Sequence, residues 1–211
     1  MEIESVIKIE QNRQSIHKAV LDNFYEFKKM ILISEKREWE CFGGDLLMNN
    51  NESLIYSRWN FQRAMNNVIY SAKMLVEHTR NGMREYERNG EHEIVNFNKK
   101  MVEDNFSKDP LSKFIESLRN YISHVAIIPI GVKMYKYHPY SYEFDVYNRR
   151  YIHHFVGAKL MEWKDMKGLA AEYIRNNNNY PQVFNSISLY IQKLNSHQND
   201  IVDFIDKKFF A

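Results

Sequence analysis

The sequence predicts an all-α fold, a helical bundle with a small β-hairpin inserted near residues 132–147. Apolar residues recur at three- and four-residue intervals through most of the chain, the mark of helices with one face in a core. Asp109-Pro110 forms a helix-start signal, since Asp caps a helix N-terminus and Pro suits the first helical position. Around His138-Pro139 the period falls to two, and β-forming residues alternate with polar ones.

Taken in order, Ile16, Val20, Phe24, Phe27, Met30 and Ile31 define a first long helix over 12–40, stopped by Phe42-Gly43-Gly44. Met48-Asn49-Asn50-Asn51 is a loop leading to an N-cap at Asn51 or Ser53. Phe61, Met65, Val68, Ile69, Ala72, Leu75 and Val76 then line a second long helix, which ends around Asn81-Gly82 or Asn89-Gly90. A weaker helix follows over 91–106. From Pro110 the stripe Leu111, Phe114, Ile115, Leu118, Tyr121, Ile122, Val125 predicts a fourth helix, ended by Pro129 and Gly131. In the hairpin, Val132, Met134 and Lys136 alternate on one side of the turn and Tyr140, Tyr142, Phe144 and Val146 on the other. Helical spacing returns with Val156, Leu160, Trp163 and Met166, Asn176–Asn179 form a loop, and Val183, Ile187, Tyr190, Ile191, Leu194, Ile201 and Ile205 mark the last helix. No repeat or Pro/Gly/Ser-rich linker divides the chain, so residues 1–211 read as one domain, and short connections favour antiparallel neighbours.

Composition narrows the function classes. A net charge of +2 is too small to indicate nucleic acid by itself, because phosphate binding needs a clustered basic surface. The single cysteine, Cys41, cannot form an internal disulfide. No run approaches the roughly 20 apolar residues of a membrane span, and Met1-Glu2-Ile3-Glu4 lacks the features of a signal peptide. The expected location is the cytoplasm, with no membrane partner. Gly43-Gly44 is followed by no G-K-[ST], which excludes a P-loop motor or kinase; no G-x-S-x-G string supports a serine hydrolase. Glu91-His92-Glu93 lacks the spacing of a zinc helix, so neither a metal nor another cofactor is expected.

Chemistry concentrates in Arg119-Asn120-Tyr121-Ile122-Ser123-His124, on the polar face of the fourth helix. Guanidinium holds a permanent charge suited to phosphate, and imidazole exchanges a proton near neutrality. That combination fits RNA scission; the plain alternative is the solvated side of a core helix. At about 100° per residue Asn120 and His124 stack on one side, whereas Arg119 lies about 140° from His124, too far round for a close pair within one helix. Arg119 must reach around, or meet the histidine of another helix. A second cluster, Arg149-Arg150-Tyr151-Ile152-His153-His154, offers Arg149, Arg150, Tyr151 and His154 as groups that grip phosphates or stack on a base. Its plain alternative is a charged start to the next helix. Adjacent His153 and His154 point apart, so a metal there would need distant ligands.

The string R-N-Y-I-S-H-V-A-I-I-P over residues 119–129 resembles the motif of the HEPN superfamily: an arginine, a polar residue, then a histidine a few positions on. The resemblance is specific over 110–130. It implies a HEPN-like helical domain and a metal-independent endoribonuclease that leaves 2′,3′-cyclic phosphate and 5′-hydroxyl ends. It assigns catalysis to Arg119 and His124, with Asn120 orienting the phosphate or the imidazole. It also implies a homodimer with apposed motif helices, and a role as a toxin or phage-defence effector acting with an antitoxin or defence partner. HEPN toxins silenced by nucleotidylation carry a tyrosine two residues after the histidine; Ala126 stands there, so that control is not expected. The competing reading is a noncatalytic HEPN-like module that binds RNA, a nucleotide or a protein.

Overall fold

A computed structural model describes residues 3–42, 51–125, 127–136 and 149–210. Its frame is a pair of long helices, α1 (Ile3–Phe42) and α2 (Asn51–Arg88), each about 60 Å long at 1.5 Å per residue. They run antiparallel: Arg58 near the start of α2 meets Glu38 near the end of α1, and Tyr86 at the far end donates to Glu10. Helix α1 outruns its predicted start because its first turns still bury Val6, whereas α2 runs on to the later of its two predicted ends, near Asn89-Gly90, with Met83 and Tyr86 buried in its last turns.

Against this pair pack α3 (His92–Val102), α4 (Pro110–His124) and the closing helix α7 (Val183–Phe209). A π-helical turn, Glu103–Ser107, extends α3 toward α4. As predicted, Asp109 caps α4, accepting from the Ser112 amide at 2.9 Å and from its hydroxyl at 2.6 Å. The predicted stripe faces inward, with Leu111, Phe114, Ile115 and Leu118 all buried.

The core has two parts. The larger joins α1, α2, α4, α7 and the connecting segments around Phe27, Phe61, Met65, Phe114, Phe155 and Ile191. The smaller lies at the far end, where Val6, Met83, Tyr86, Ile94, Ile201 and Ile205 meet. A buried polar seam borders them: Arg13 donates to Gln198, and the Gln198 amide donates to the Thr79 hydroxyl at 3.2 Å. Helix α7 crosses both parts, giving Ile187, Ile191 and Leu194 to one and Ile201 and Ile205 to the other.

A two-stranded antiparallel ribbon is present, although its second strand differs from the prediction. Strand β1 (Ile130–Lys136) pairs with β2 (Arg149–Phe155), from Ile130 opposite Phe155 to Lys136 opposite Arg149. The predicted second strand, Tyr140–Val146, lies outside the described residues. The segment 149–154 is therefore not the start of a helix. Tyr151, His153 and Phe155 form a buried face of period two, and the central histidine disguised that face as polar.

The helix expected from Val156 through Met166 is shorter, and a further helix that the periodicity did not mark follows it. Helix α5 covers only Gly157–Met161, and α6 (Leu169–Asn176) starts after Gly168, whose φ of +57° suits glycine. Gly157 allows a close approach: a β-carbon there would lie 2.4 Å from an Ile174 methyl and 2.6 Å from the Asn179 carbonyl oxygen. Among the described residues the protein is thus mostly helical, with seven α-helices and one small antiparallel ribbon. No described helix is long and apolar enough to cross a membrane.

Candidate active site

Helix α4 is held on several sides, which fixes where its polar residues point. Tyr121 packs edge-on against Trp163 with ring centres 5.5 Å apart, and the Ser117 hydroxyl donates to the Asp165 carbonyl at 3.3 Å. On the other side the Tyr70 hydroxyl of α2 lies 3.2 Å from that of Ser123, which also donates to the Arg119 carbonyl at 3.0 Å.

The three motif residues diverge from this anchored helix. Arg119 turns into a cavity bounded by α2, α3 with its π-turn, α4 and α7. Asn120 lines a separate hollow with Asp165, Lys167 and Leu169, and Lys113 and Glu116 form the ridge between the two. His124 is exposed on the last turn of α4. The angular separation read from the sequence persists: among the described residues, no hydrogen bond joins Arg119, Asn120 and His124. None of their side chains has a hydrogen bond or ion pair to another described residue. By contrast Lys113 holds Glu116 at 3.2 Å, and Lys73 and Arg80 both meet Glu77.

Beyond His124 the chain exposes apolar surface. Val125 and Ile127 are 48% and 63% exposed, whereas Ile128 is buried. Met74 is exposed on α2, one turn beyond Tyr70.

The second sequence cluster sits elsewhere, on the ribbon. Tyr151 and His154 are buried, while the side chains of Arg149 and Arg150 lie outside the described residues. Both ring nitrogens of His154 have partners: Nδ1 lies 2.8 Å from the Tyr180 carbonyl and Nε2 3.0 Å from the Tyr135 hydroxyl. The neutral tautomer with hydrogen on Nδ1 donates to the carbonyl and accepts from the phenol, satisfying both. Burial, reinforced by Lys133, holds this imidazole below its usual pKa, against the pull of the Tyr180 carbonyl.

His153, set aside in the sequence as a metal ligand needing distant partners, anchors a buried polar cluster. Its Nε2 is 3.2 Å from the Ser34 hydroxyl and 3.8 Å from the Glu38 carboxylate, and its ring packs 4.7 Å from that of Phe61. Glu38 is fully buried and receives two bonds from Arg58, at 2.5 and 2.8 Å. A sequence signal for this cluster exists. Val20, Phe27, Ile31, Ser34, Glu38 and Leu54, Arg58, Phe61, Met65, Val68 continue the core stripes of α1 and α2, so Glu38 and Arg58 stand where apolar residues are expected. His197 likewise falls beside Leu194, Gln198 and Ile201 on the inner side of α7. Among the described residues, no three His, Cys, Asp or Glu side chains gather into a metal-binding group.

Two of these histidines give the fold an acid sensitivity. Burial, with neighbouring Arg13, lowers the His197 pKa to about 4, and Asp200 offsets this only in part. Burial, with Arg58 and His154, lowers that of His153 to about 4 as well; the charge of Glu38 is already engaged by Arg58. Both imidazoles are neutral in the fold and regain their ordinary pKa of about 6.5 on unfolding. Their contribution is therefore complete above pH 6.5 and declines as the pH falls toward 4. The denaturant midpoint should fall across that interval, and His197→Gln should flatten the dependence. An equally steep profile in that variant would assign the acid sensitivity elsewhere.

Compared with known proteins, this mostly helical chain matches no family model, no curated protein and no solved structure.

Proposed function

We propose that this protein is a metal-independent endoribonuclease of the HEPN kind, with Arg119 and His124 as its catalytic pair and RNA as its substrate. The observation that supports the reading best is the state of the motif residues on α4. Arg119, Asn120 and His124 carry the chemistry the reaction needs, and none is spent on a described protein partner. In this mechanism His124 takes the proton from a ribose 2′-hydroxyl, whose oxygen attacks the adjacent phosphorus and expels the 5′-oxygen of the next nucleotide. Arg119 stabilises the charge that builds on the phosphoryl oxygens. Asn120 orients the phosphate or the imidazole. The products are a 2′,3′-cyclic phosphate and a 5′-hydroxyl.

A homodimer reconciles this chemistry with the angle between Arg119 and His124. A two-fold axis beside exposed Val125 and Ile127 would bring two motif helices together and repeat each contact, so that the arginine of one protomer approaches the histidine of its partner. Exposed basic groups at Arg80 and Lys113 would lead the RNA backbone toward Arg119. An activity of this kind suits a toxin or phage-defence effector restrained by an antitoxin or defence partner.

The test is cleavage of single-stranded RNA by the purified protein in EDTA, followed by analysis of the product ends. Cleavage with cyclic-phosphate ends is expected. Activity that disappears in EDTA and returns with a divalent ion would overturn the mechanism, and RNA binding without cleavage would favour the noncatalytic module.

A further inference from the structure

The cavity that receives Arg119 has the properties of a small-molecule site, a reading that uses the same arginine as the proposed cleavage but does not require cleavage to occur. It encloses about 320 Å³, within the size range of ligand pockets. Its depth is formed by buried residues of α2, α4 and α7, including Thr79, Ile115, Leu194, His197 and Gln198. Its rim carries the exposed side chains of Arg80, Val102, Lys113 and Glu116.

Among the described residues, three buried polar atoms without a hydrogen-bond partner belong to side chains lining this one cavity: Asn98 Oδ1, Arg119 Nε and His197 Nδ1. His197 is only 4% exposed, and Phe106 stands edge-on to its ring at 5.3 Å. Leaving such an atom unsatisfied costs about 1–3 kcal/mol, so each calls for a partner. Beside these polar groups, Ile69, Val76, Val102, Phe106, Ile115 and Leu194 supply an apolar wall. The same wall is suited to the body of an organic molecule.

Charge specifies the other end of the ligand. Lys73, Arg80, Lys113 and Arg119 line the cavity against one carboxylate, Glu116. Lys113 pairs with Glu116, and Lys73 and Arg80 share Glu77, whereas Arg119 has no ion pair among the described residues. The π-turn Glu103–Ser107 provides a further independent sign. Such turns are frequent at functional sites, and this one, at the end of α3, supplies Phe106 and Ser107 to the cavity wall.

We propose that this cavity binds a small organic anion: its carboxylate or phosphate meets Arg119, its apolar ring lies among Val76, Phe106 and Leu194, and a polar edge faces His197 and Asn98. The anionic group is the shared chemistry, and the two acid types are separated by experiment.

Fluorescence titration of the full chain with 2-naphthyl phosphate and 2-naphthoate, beside neutral 2-naphthol and inorganic phosphate, tests the site. At least one naphthyl anion should bind saturably at one per chain, at least about tenfold more tightly than 2-naphthol or inorganic phosphate. The tighter of the two anions identifies the acid group. Val102→Trp, which narrows the rim without entering the core, and His197→Phe, which removes the orphaned nitrogen, should each weaken binding by at least about tenfold. Should His197→Phe fail to fold, Val102→Trp with its exposed parent side chain decides. Equal binding of 2-naphthol and the anions, binding unaffected by Val102→Trp, or no saturable binding of either anion would overturn the proposal. None of these readouts depends on whether the protein cuts RNA.

Discussion

His124→Ala is expected to reduce RNA cleavage by at least about a hundredfold while leaving the fold intact, the usual scale for loss of a general base. Two features separate the effects on activity and stability. The side chain is exposed on the last turn of α4 and makes no hydrogen bond to a described residue, so its removal creates neither a cavity nor an orphaned partner. A substitution of that kind shifts stability by no more than about 0.5 kcal/mol. Helix α4 keeps its Asp109 cap, the Tyr121–Trp163 contact and the Tyr70–Ser123 bond. Cleavage rates measured beside a denaturation curve resolve the two quantities. Wild-type cleavage by the variant would remove His124 from the mechanism, and a collapsed fold would mean that its loss acts through structure.

Arg58→Ala should produce the largest loss of stability, about 3–5 kcal/mol, because it leaves a buried carboxylate without its counter-ion. Glu38 is fully buried, and both of its oxygens receive bonds from Arg58. The guanidinium is partly wet, with its side chain 44% exposed, so the cost arises mainly from the stranded acid. Ser34 carries no charge, and His153, 3.8 Å from Glu38, would replace the counter-ion only by taking up a proton against its burial. Replacing both partners by leucine should be far milder, since an ion pair of this type offsets little more than its own desolvation. Denaturant midpoints for the single and double variants provide the comparison. A loss below about 1 kcal/mol in Arg58→Ala would mean that water reaches Glu38 and that the pair is of the weak surface type.

Much of the helical frame was legible because its signals are local. Asp109-Pro110 announces the start of α4, and the apolar stripes from Leu111 to Leu118 and from Val183 to Ile205 face the core as expected. The ribbon was harder to read, since β2 places histidines where its burial would otherwise be announced by apolar residues, and both His153 and His154 are buried. The division between α5 and α6 depends on Gly168 and on the close approach at Gly157, features of backbone geometry that a periodicity count passes over. Within the site, the separation of Arg119 from His124 followed from helical geometry alone. The direction of Arg119 did not, because the cavity that receives it is assembled from α2, α3, α4 and α7, which are distant in sequence. The same limitation concealed Asn98 and His197, neither of which belongs to a motif.

The central claim, that His124 activates a ribose hydroxyl for attack on phosphorus, is tested most directly by substrate chemistry. An RNA oligonucleotide that the protein cuts at one position should be compared with the same strand carrying a single 2′-deoxyribose immediately 5′ of that bond, both in EDTA. The mechanism predicts cleavage of the all-ribose strand and none at the deoxy position, since the nucleophile is missing. Cleavage of both strands at that bond would contradict it, because the attacking oxygen would then come from water rather than from the RNA.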